Sequence, residues 1–440
     1  METTSVPSAV LNIVETLRES GFQALLAGGC VRDFALGLEP NDFDIATDAP
    51  PEQVQRLFER TIPIGIAFGI VTVVASDGSQ YEVARFRNDL GYADGRHPKA
   101  VEFTDDVAQD ARRRDFTING MFLDPLEGRL IDHVGGQEDL QQGLVRAIGK
   151  PLQRFDEDYL RMIRAVRLAA RLNFEIEAQT LAAISSHASR LKNISAERIR
   201  DELTRIITSV GAVRGLELMM ETGLLATVLP EVAAMDGVPQ PAEFHPEGDV
   251  WTHVRRMVEF AQEPTATLAW SILLHDIGKP VTYTVAERIR FDGHDAVGAM
   301  MAEQVCSRLR LSTADTTRIC ALTAQHMRIA HTPQMRLSKL KRFLREPFFS
   351  ELLELHRIDC LASHGKLDVH EFCKQQLQDV GPDELRPPRL LTGDDLIKFG
   401  LEPGPQFSGI LTRLEEEQLE GRLSTREAAL EWVKKSFVAS

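Results

Sequence analysis

The stretch Leu25–Asp48, reading LLAGGCVRDFALGLEPNDFDIATD, limits what this chain can fold into. A short apolar run enters Gly28-Gly29, then Val31-Arg32-Asp33, and Asp42-Phe43-Asp44 follows a few residues later. Residues two apart on an extended segment point to one face, so Asp42 and Asp44 would present their carboxylates side by side. Mg²⁺ suits that arrangement, because it takes one or two carboxylates together with phosphate oxygens of a substrate. The glycines let backbone N–H groups come close to an anion, and a helix starting near Val31-Arg32-Asp33 would aim its N-terminus there. Each piece alone is common, since an Asp-x-Asp or a Gly-Gly is more often a solvated turn. In this order they predict adjoining seats for a phosphate and a metal.

Downstream, Ile70–Ala75 and Gln80–Phe86 read as two strands joined at Ser76-Asp77-Gly78-Ser79. Glu82 would add a third carboxylate if its strand lies beside that of Asp42 and Asp44. The polar, turn-rich Tyr92–Pro98 reads as a mobile loop near the site. Arg112-Arg113-Arg114-Asp115-Phe116-Thr117-Ile118-Asn119-Gly120-Met121 then offers guanidinium forks for phosphate and an Asp/Asn pair suited to sugar hydroxyls. A solvated basic face is the plainer account of the arginines.

These three segments, Gly28–Asp33, Asp42–Asp44 and Arg113–Met121, together resemble the head motifs of class II tRNA nucleotidyltransferases (CCA-adding enzymes) and bacterial poly(A) polymerases. The resemblance implies an α+β protein with a DNA-polymerase-beta-like nucleotidyltransferase head, a mixed sheet with helices, followed by all-α neck, HD and tail domains. It implies template-independent addition of CMP, CMP and AMP to tRNA 3′ ends from CTP and ATP by two-metal phosphoryl transfer. Asp42, Asp44 and Glu82 are then the catalytic carboxylates, with Mg²⁺ on Asp42 and Asp44. Nucleotide contacts fall to Gly28, Gly29, Arg32, Arg113, Arg114, Asp115 and Asn119.

Arg154–Arg167 extends the match with the family's Glu-Asp-x-x-Arg pattern at Glu157, Asp158 and Arg161. On one continuous helix, at about 100° per residue, Glu157, Asp158, Arg161, Arg164, Arg167 and Arg171 share a side, opposite Met162, Ile163, Val166, Ala169 and Ala170. Such a charged face is usually just solvated. The family instead assigns Asp158 and Arg161 to the edge of the incoming base, with Glu157 orienting them; Arg164 and Arg167 complete the expected nucleotide contacts. Ser195 reads as the N-cap of a further helix.

A second constellation begins near His245. The order His253, His275-Asp276, Asp359 resembles the HD metal-dependent phosphohydrolases, whose helices gather these residues around a divalent ion. Imidazoles with carboxylates suit a transition metal of unspecified identity. His294 and His326 stand as candidates for a second ion. Gly393-Asp394-Asp395 reads as a helix start, and Ser424–Glu427 as a capping box.

The expected domains are 1–145 (head), 146–235 (helical neck binding base and RNA), 236–375 (HD phosphohydrolase-like) and 376–440 (helical tail). A net charge of −15 excludes a surface that coats nucleic acid everywhere, so RNA needs a confined groove. That balance also favours tRNA addition over a poly(A) polymerase, which tends to carry basic extensions. An A-adding-only enzyme stays open; a CC-only enzyme fits less well, since Asp94-Gly95-Arg96 resembles a loop those enzymes lack. A more remote alternative is an HD phosphohydrolase with an inactive RNA-binding head. No apolar run reaches membrane-helix length and the start lacks a signal peptide's pattern, which points to the cytoplasm and no membrane. The scattered Cys30, Cys306, Cys320, Cys360 and Cys373 contain no Cys-x-x-Cys, against structural disulfides or a zinc knuckle.

Overall fold

The computed structural model describes residues 6–63, 65–92 and 98–438. The chain divides between Ala233 and Ala234 into two compact units. The first opens with α1 (Ser8–Glu19), β1 (Ala24–Ala27), α2 (Gly29–Ala35), β2 (Asp44–Thr47), α3 (Pro51–Leu57), β3 (Thr61–Ile62), β4 (Ile70–Val74) and β5 (Gln80–Arg85). It continues with β6 (Arg87–Tyr92), β7 (Pro98–Phe103), α4 (Val107–Arg113), β8 (Phe122–Asp124) and β9 (Arg129–Ile131).

Seven strands form one mixed sheet in the order β3-β4-β5-β2-β1-β8-β9, in which only the β2–β5 pair is parallel. Central β1 is buried at every residue, which is why Ala24–Ala27 is a continuous apolar run. Towards the edge, β4 buries only Val71 and Val73, with half-buried residues between them. The β2–β5 register sets Asp44 opposite Glu82, which is the adjacency that spacing alone left open. Strands β6 and β7 pair separately, Arg87 opposite Phe103. Asp94, Gly95 and Arg96 of the expected loop lie outside the described residues.

The helical half of this unit contains α5 (Gly136–Gln142), β10 (Leu144–Val145), α6 (Pro151–Glu157), α7 (Leu160–Leu172), β11 (Glu175–Ile176), α8 (Ala178–His187), α9 (Ala196–Ile207), α10 (Ala212–Glu221), α11 (Leu224–Val228) and α12 (Pro230–Ala233). The single helix expected through Glu157–Arg171 is two. Asp158 is extended, with φ −152° and ψ 104°, and its carboxylate accepts from the Leu160 backbone N–H at 3.0 Å. Aspartate competes for backbone donors and so favours such joints over helix interiors. Beyond the joint, Met162, Ile163, Val166, Ala169 and Ala170 are buried as their spacing predicts, and α7 packs on α9 and α10. Ser195 holds the N-cap position of α9 without a side-chain capping bond.

The second unit comprises α13 (Val250–Phe260), α14 (Ala266–Leu274), α15 (Lys279–Thr282), β12 (Thr284–Val285), β13 (Ile289–Arg290), α16 (His294–Arg308), α17 (Thr313–Gln325), α18 (Leu337–Leu344), α19 (Phe349–Ala362), α20 (Asp368–Asp379), α21 (Pro382–Leu385), α22 (Gly393–Lys398), α23 (Gln406–Leu419) and α24 (Arg426–Val433). Helix α14 is buried from Leu268 to Leu274 and packs against α13, α17 and α19, which matches its apolar residues all round. The turn after it meets α16 backbone to backbone, since a Cβ on Gly278 would lie 2.2 Å from the His294 carbonyl oxygen. The last helices enclose their own core of Leu391, Leu396, Ile410, Leu414, Leu423, Ala429 and Val433. There Thr392 and Asp395 form a capping box, so Gly393-Asp394-Asp395 starts α22. Thr425, rather than Ser424, caps α24 through the Ala428 N–H. No described helix is long and apolar enough to cross a membrane.

Candidate functional site

In the first unit a cleft of about 280 Å³ is lined by Gly28, Gly29, Asp44, Arg113, Arg114, Asp115, Asn119, Asp158, Arg161 and Arg164. Residues from β2, the β1–α2 turn, the end of α4, the following 3₁₀ turn and the α6–α7 joint therefore meet in one place. Gly28 has φ 78°, a left-handed conformation that suits glycine, and a Cβ there would sit 3.4 Å from Arg114 Nη1 and 3.5 Å from Asp44 Oδ2. Arg32, Arg167, Asp42 and Glu82 are not part of this lining. Arg32 lies beneath it, 4% exposed, donating Nη1 to Asn119 Oδ1 at 2.8 Å and gripping Asp33 through Nε and Nη2. Arg167 turns towards α9 and bonds Glu202.

Each cleft arginine is held by a carboxylate. Asp110, buried in α4, accepts from Arg113 and Arg114. Arg161 and Arg154 share Glu157 Oε2. Arg164 pairs with Asp115, which also accepts from the Asn119 amide. Burial alone would raise the Asp115 carboxyl, but Arg164, Arg161 and the Asn119 and Phe116 donors outweigh it and hold it down at about 2. Asp158 is gripped by both ends of Arg198, Nη2 to Oδ2 at 2.6 Å and Nη1 to Oδ1 at 3.2 Å. In the sequence the Arg198 segment reads only as a helix behind its Ser195 N-cap, and nothing in its spacing announces a partner forty residues upstream.

Asp44 is open to solvent by accessible area, yet the cleft walls around it desolvate its carboxyl and raise its pKa. Repulsion from Glu82 and Asp42 adds to the rise, and Arg114 opposes it. Three acidic groups crowded against one another, with one of them driven towards its neutral form, fit a site for a divalent cation.

In the second unit His253, His275 and Asp276 form a group whose ligand atoms lie within 4.8 Å of one another. Asp359 reaches this group through His253, with Oδ1 3.2 Å from Nε2. Glu247 accepts from Nδ1 of both His253 and His245. For His253, burial would lower the pKa, but the Asp359 carboxylate beside Nε2 and the Glu247 carboxylate on Nδ1 outweigh it and push it up to about 9. Burial would likewise raise Asp276, and the nearby His275 and Lys279 charges hold it well below the usual carboxylate range. Lys279 Nζ is 2.7 Å from Asp276 Oδ2 without hydrogen-bond alignment, donating instead to Gln240. Both Asp276 oxygens, His275 Nε2 and His253 Nε2 are buried without hydrogen-bond partners. Orphaned buried lone pairs that converge are what a metal centre supplies, so these residues fit an ion. Among the described residues, the three-ligand groups of this tightness all lie in the second unit.

The Poly A polymerase head domain family matches residues 24–146, the probable RNA and SrmB-binding site of polymerase A matches 173–235, and the HD domain matches 250–362. A CCA-adding enzyme of Levilactobacillus brevis is 31% identical over 422 residues, covering 95% of each chain. The crystal structure of the Bacillus stearothermophilus CCA-adding enzyme in complex with CTP superposes with a TM-score of 0.75 at 26% identity, over 97% of this chain and 96% of that one. The Thermotoga maritima CCA-adding enzyme, in complex with tRNA, shares the fold with a TM-score of 0.61 at 18% identity, over 98% of this chain and 97% of that one. With a head sheet that presents Asp44 beside Glu82, an arginine-lined cleft and an HD cluster, the chain belongs to the CCA-adding enzymes, tRNA nucleotidyltransferases with an α+β head and helical domains behind it.

Proposed function

We propose that the chain adds CMP, CMP and AMP to tRNA 3′ ends, taking CTP and ATP without a nucleic-acid template, and that it works in the cytoplasm. One observation carries this reading: ten of the residues expected from sequence to serve metal, phosphate, sugar and base line a single cleft. Asp42 and Asp44 would hold Mg²⁺ with Glu82 beside them. Bound there, Mg²⁺ lowers the pKa of an attacking hydroxyl and offsets charge on a leaving pyrophosphate. Arg113 and Arg114 bind the triphosphate by guanidinium forks, pre-aimed by Asp110. Asn119, fixed by Arg32 and Asp115, orients the sugar. Asp158 accepts from the amino group of cytosine or adenine while Arg161 donates to a ring acceptor, so uracil and guanine present the wrong pattern. Arg164 positions Asp115, and Arg167 braces α7 against α9.

The same reading divides the chain into a head over 1–145, a neck over 146–235, an HD domain over 236–375 and a tail over 376–440. In the HD domain, His253, His275, Asp276 and Asp359 would hold a transition-metal ion, which when bound would supply a water of lowered pKa for hydrolysis of a phosphate ester. The orphaned buried lone pairs favour this second activity.

The test is incorporation of labelled CTP or ATP into tRNA transcripts ending before, within or after CC. Stepwise CCA completion is expected. Long A tracts on non-tRNA RNA would make it a poly(A) polymerase, and addition of A alone to transcripts ending in CC would make it an A-adding enzyme. No incorporation alongside intact phosphoester hydrolysis would leave only the HD activity.

A further inference from the structure

Arg154 does not line the cleft, yet its bonds run to both ends of it. Helix α4 ends at Arg113, and the last carbonyls of a helix have no partner within it. From α6, Arg154 supplies one: Nη2 donates to the Arg112 carbonyl at 2.8 Å and Nη1 to the Arg113 carbonyl at 3.2 Å. Nε donates to the Ile148 carbonyl at 3.1 Å, and the side chain is only 14% exposed. A guanidinium at the C-terminal end of a helix also meets the end of the dipole that favours a cation.

The remaining bonds of Arg154 lead to the other wall. Its Nη1 shares Glu157 Oε2 with Arg161 Nη1, and its own carbonyl accepts from Arg161 Nη1 at 2.9 Å. Arg161 Nη2 in turn reaches the Arg113 carbonyl at 3.4 Å. On both walls the chain leaves regular structure beside these contacts, extended at Arg114 after α4 and at Asp158 after α6. Side-chain bonds, and not a continuous helix, therefore hold the two walls at their separation.

We propose that Arg154 is a positioning residue that fixes the spacing between the triphosphate grip of Arg113 and Arg114 and the base edge read by Asp158 and Arg161, and so sharpens the choice of nucleotide. This rests on the transferase reading above and adds to it a residue that touches neither end of the nucleotide. With the spacing fixed, a nucleotide anchored by its phosphates presents its base at one place. CTP meets the two side chains in register there, whereas UTP turns a carbonyl towards the Asp158 carboxylate and cannot slide to a better contact. A monophosphate lacks that anchor and settles where its base fits, so UMP escapes part of the penalty.

The test compares two ratios of dissociation constants on the full chain in Mg²⁺, UTP over CTP and UMP over CMP, measured by competition calorimetry. Shifts on the order of 1 Å change efficiency by up to about a hundredfold, so in the parent the triphosphate ratio should exceed the monophosphate ratio by roughly tenfold. Arg154→Met should bring the triphosphate ratio down to the monophosphate ratio and leave the latter unchanged. Arg154→Lys should fall between, because an ammonium lacks the planar fork that reaches two carbonyls and a carboxylate together. Equal ratios in the parent, or a parent-like triphosphate ratio in Arg154→Met, would overturn the spacing role. A fall of both ratios together would overturn it too, since Arg154 would then support the base reader alone. A parent that binds CTP and UTP alike and extends no tRNA transcript would instead refute the transferase reading. The parent ratios need no variant and Arg154→Lys keeps the charge, so misfolding of Arg154→Met, visible by far-ultraviolet circular dichroism, does not decide the outcome.

Discussion

Replacing Arg198 by Met keeps the length of the side chain and removes both hydrogen bonds to Asp158. The pair is mostly enclosed, with side-chain exposures of 25% for Arg198 and 16% for Asp158. Hydrogen bonds to charged groups contribute about 1.5–3 kcal/mol, and residual solvent screening favours the lower end. Asp158 retains the Leu160 N–H at 3.0 Å, so its carboxylate loses alignment but not its place. About 1.5–2 kcal/mol lost in the transition state corresponds to a fall of roughly 10–30-fold in kcat/KM for CTP. UTP offers no amino group to Asp158, so its efficiency should fall by less, and discrimination should narrow. Arg198→Lys should recover only part of the loss, because an ammonium cannot grip both oxygens at once. The assay is single-nucleotide extension of a tRNA transcript lacking CCA, with each nucleotide varied in turn. CTP efficiency within twofold of the parent, or equal losses for CTP and UTP, would refute the argument that Arg198 aims Asp158 at the base.

Other expectations follow from the same geometry. Asp42→Ala should lower transfer by roughly a thousandfold or more, whereas Asp276→Ala should leave transfer intact and abolish metal-dependent hydrolysis; loss of transfer in well-folded Asp276→Ala would contradict the division of labour. Asp115, held at about 2 in the fold against 3.8 unfolded, contributes about 2 kcal/mol of stability that is fully present above pH 3.8 and lost as pH falls through 2. The stability gap between the parent and Asp115→Asn, followed by far-ultraviolet circular dichroism in urea, should therefore shrink by about half from pH 7 to pH 3; a flat gap would count against it. In Gly278→Ala a Cβ would fall 2.2 Å from the His294 carbonyl, and the displacement should cost about 1–3 kcal/mol or more. Trp251, Trp270 and Trp432 all lie beyond residue 233, so tryptophan emission during unfolding reads that loss, and an unchanged midpoint would refute it.

The head was legible because its signals are local. Gly28-Gly29, Asp42-x-Asp44 and the arginine run each combine a backbone demand with a charge, and apolar spacing located β1, β4 and β5. The parallel β2–β5 register that puts Glu82 beside Asp44 is a long-range pairing, which periodicity does not encode. The joint at Asp158 was missed because helical spacing runs through it without interruption, and what breaks the helix is the aspartate's own bond to Leu160 N–H. The Arg198 grip and the Arg32–Asn119 bond are tertiary contacts with no pattern to find. In the second unit the contiguous His275-Asp276 is a local signal, whereas the approach of His294 at the start of α16 depends on a close backbone crossing at Gly278.

The pairing of each cleft arginine has a consequence for how nucleotide arrives. Arg113 and Arg114 are matched by Asp110, Arg161 by Glu157, Arg164 by Asp115 and Arg198 by Asp158, while Asp44 adds a further negative charge. The pocket thus has donors in place but little surplus positive potential, in keeping with a chain whose net charge is −15. A bare triphosphate would meet shaped hydrogen-bond donors without the long-range pull that unpaired arginines exert. Nucleotide should therefore bind better as its magnesium complex than as the bare triphosphate, with an affinity that depends steeply on free Mg²⁺ and only weakly on monovalent salt.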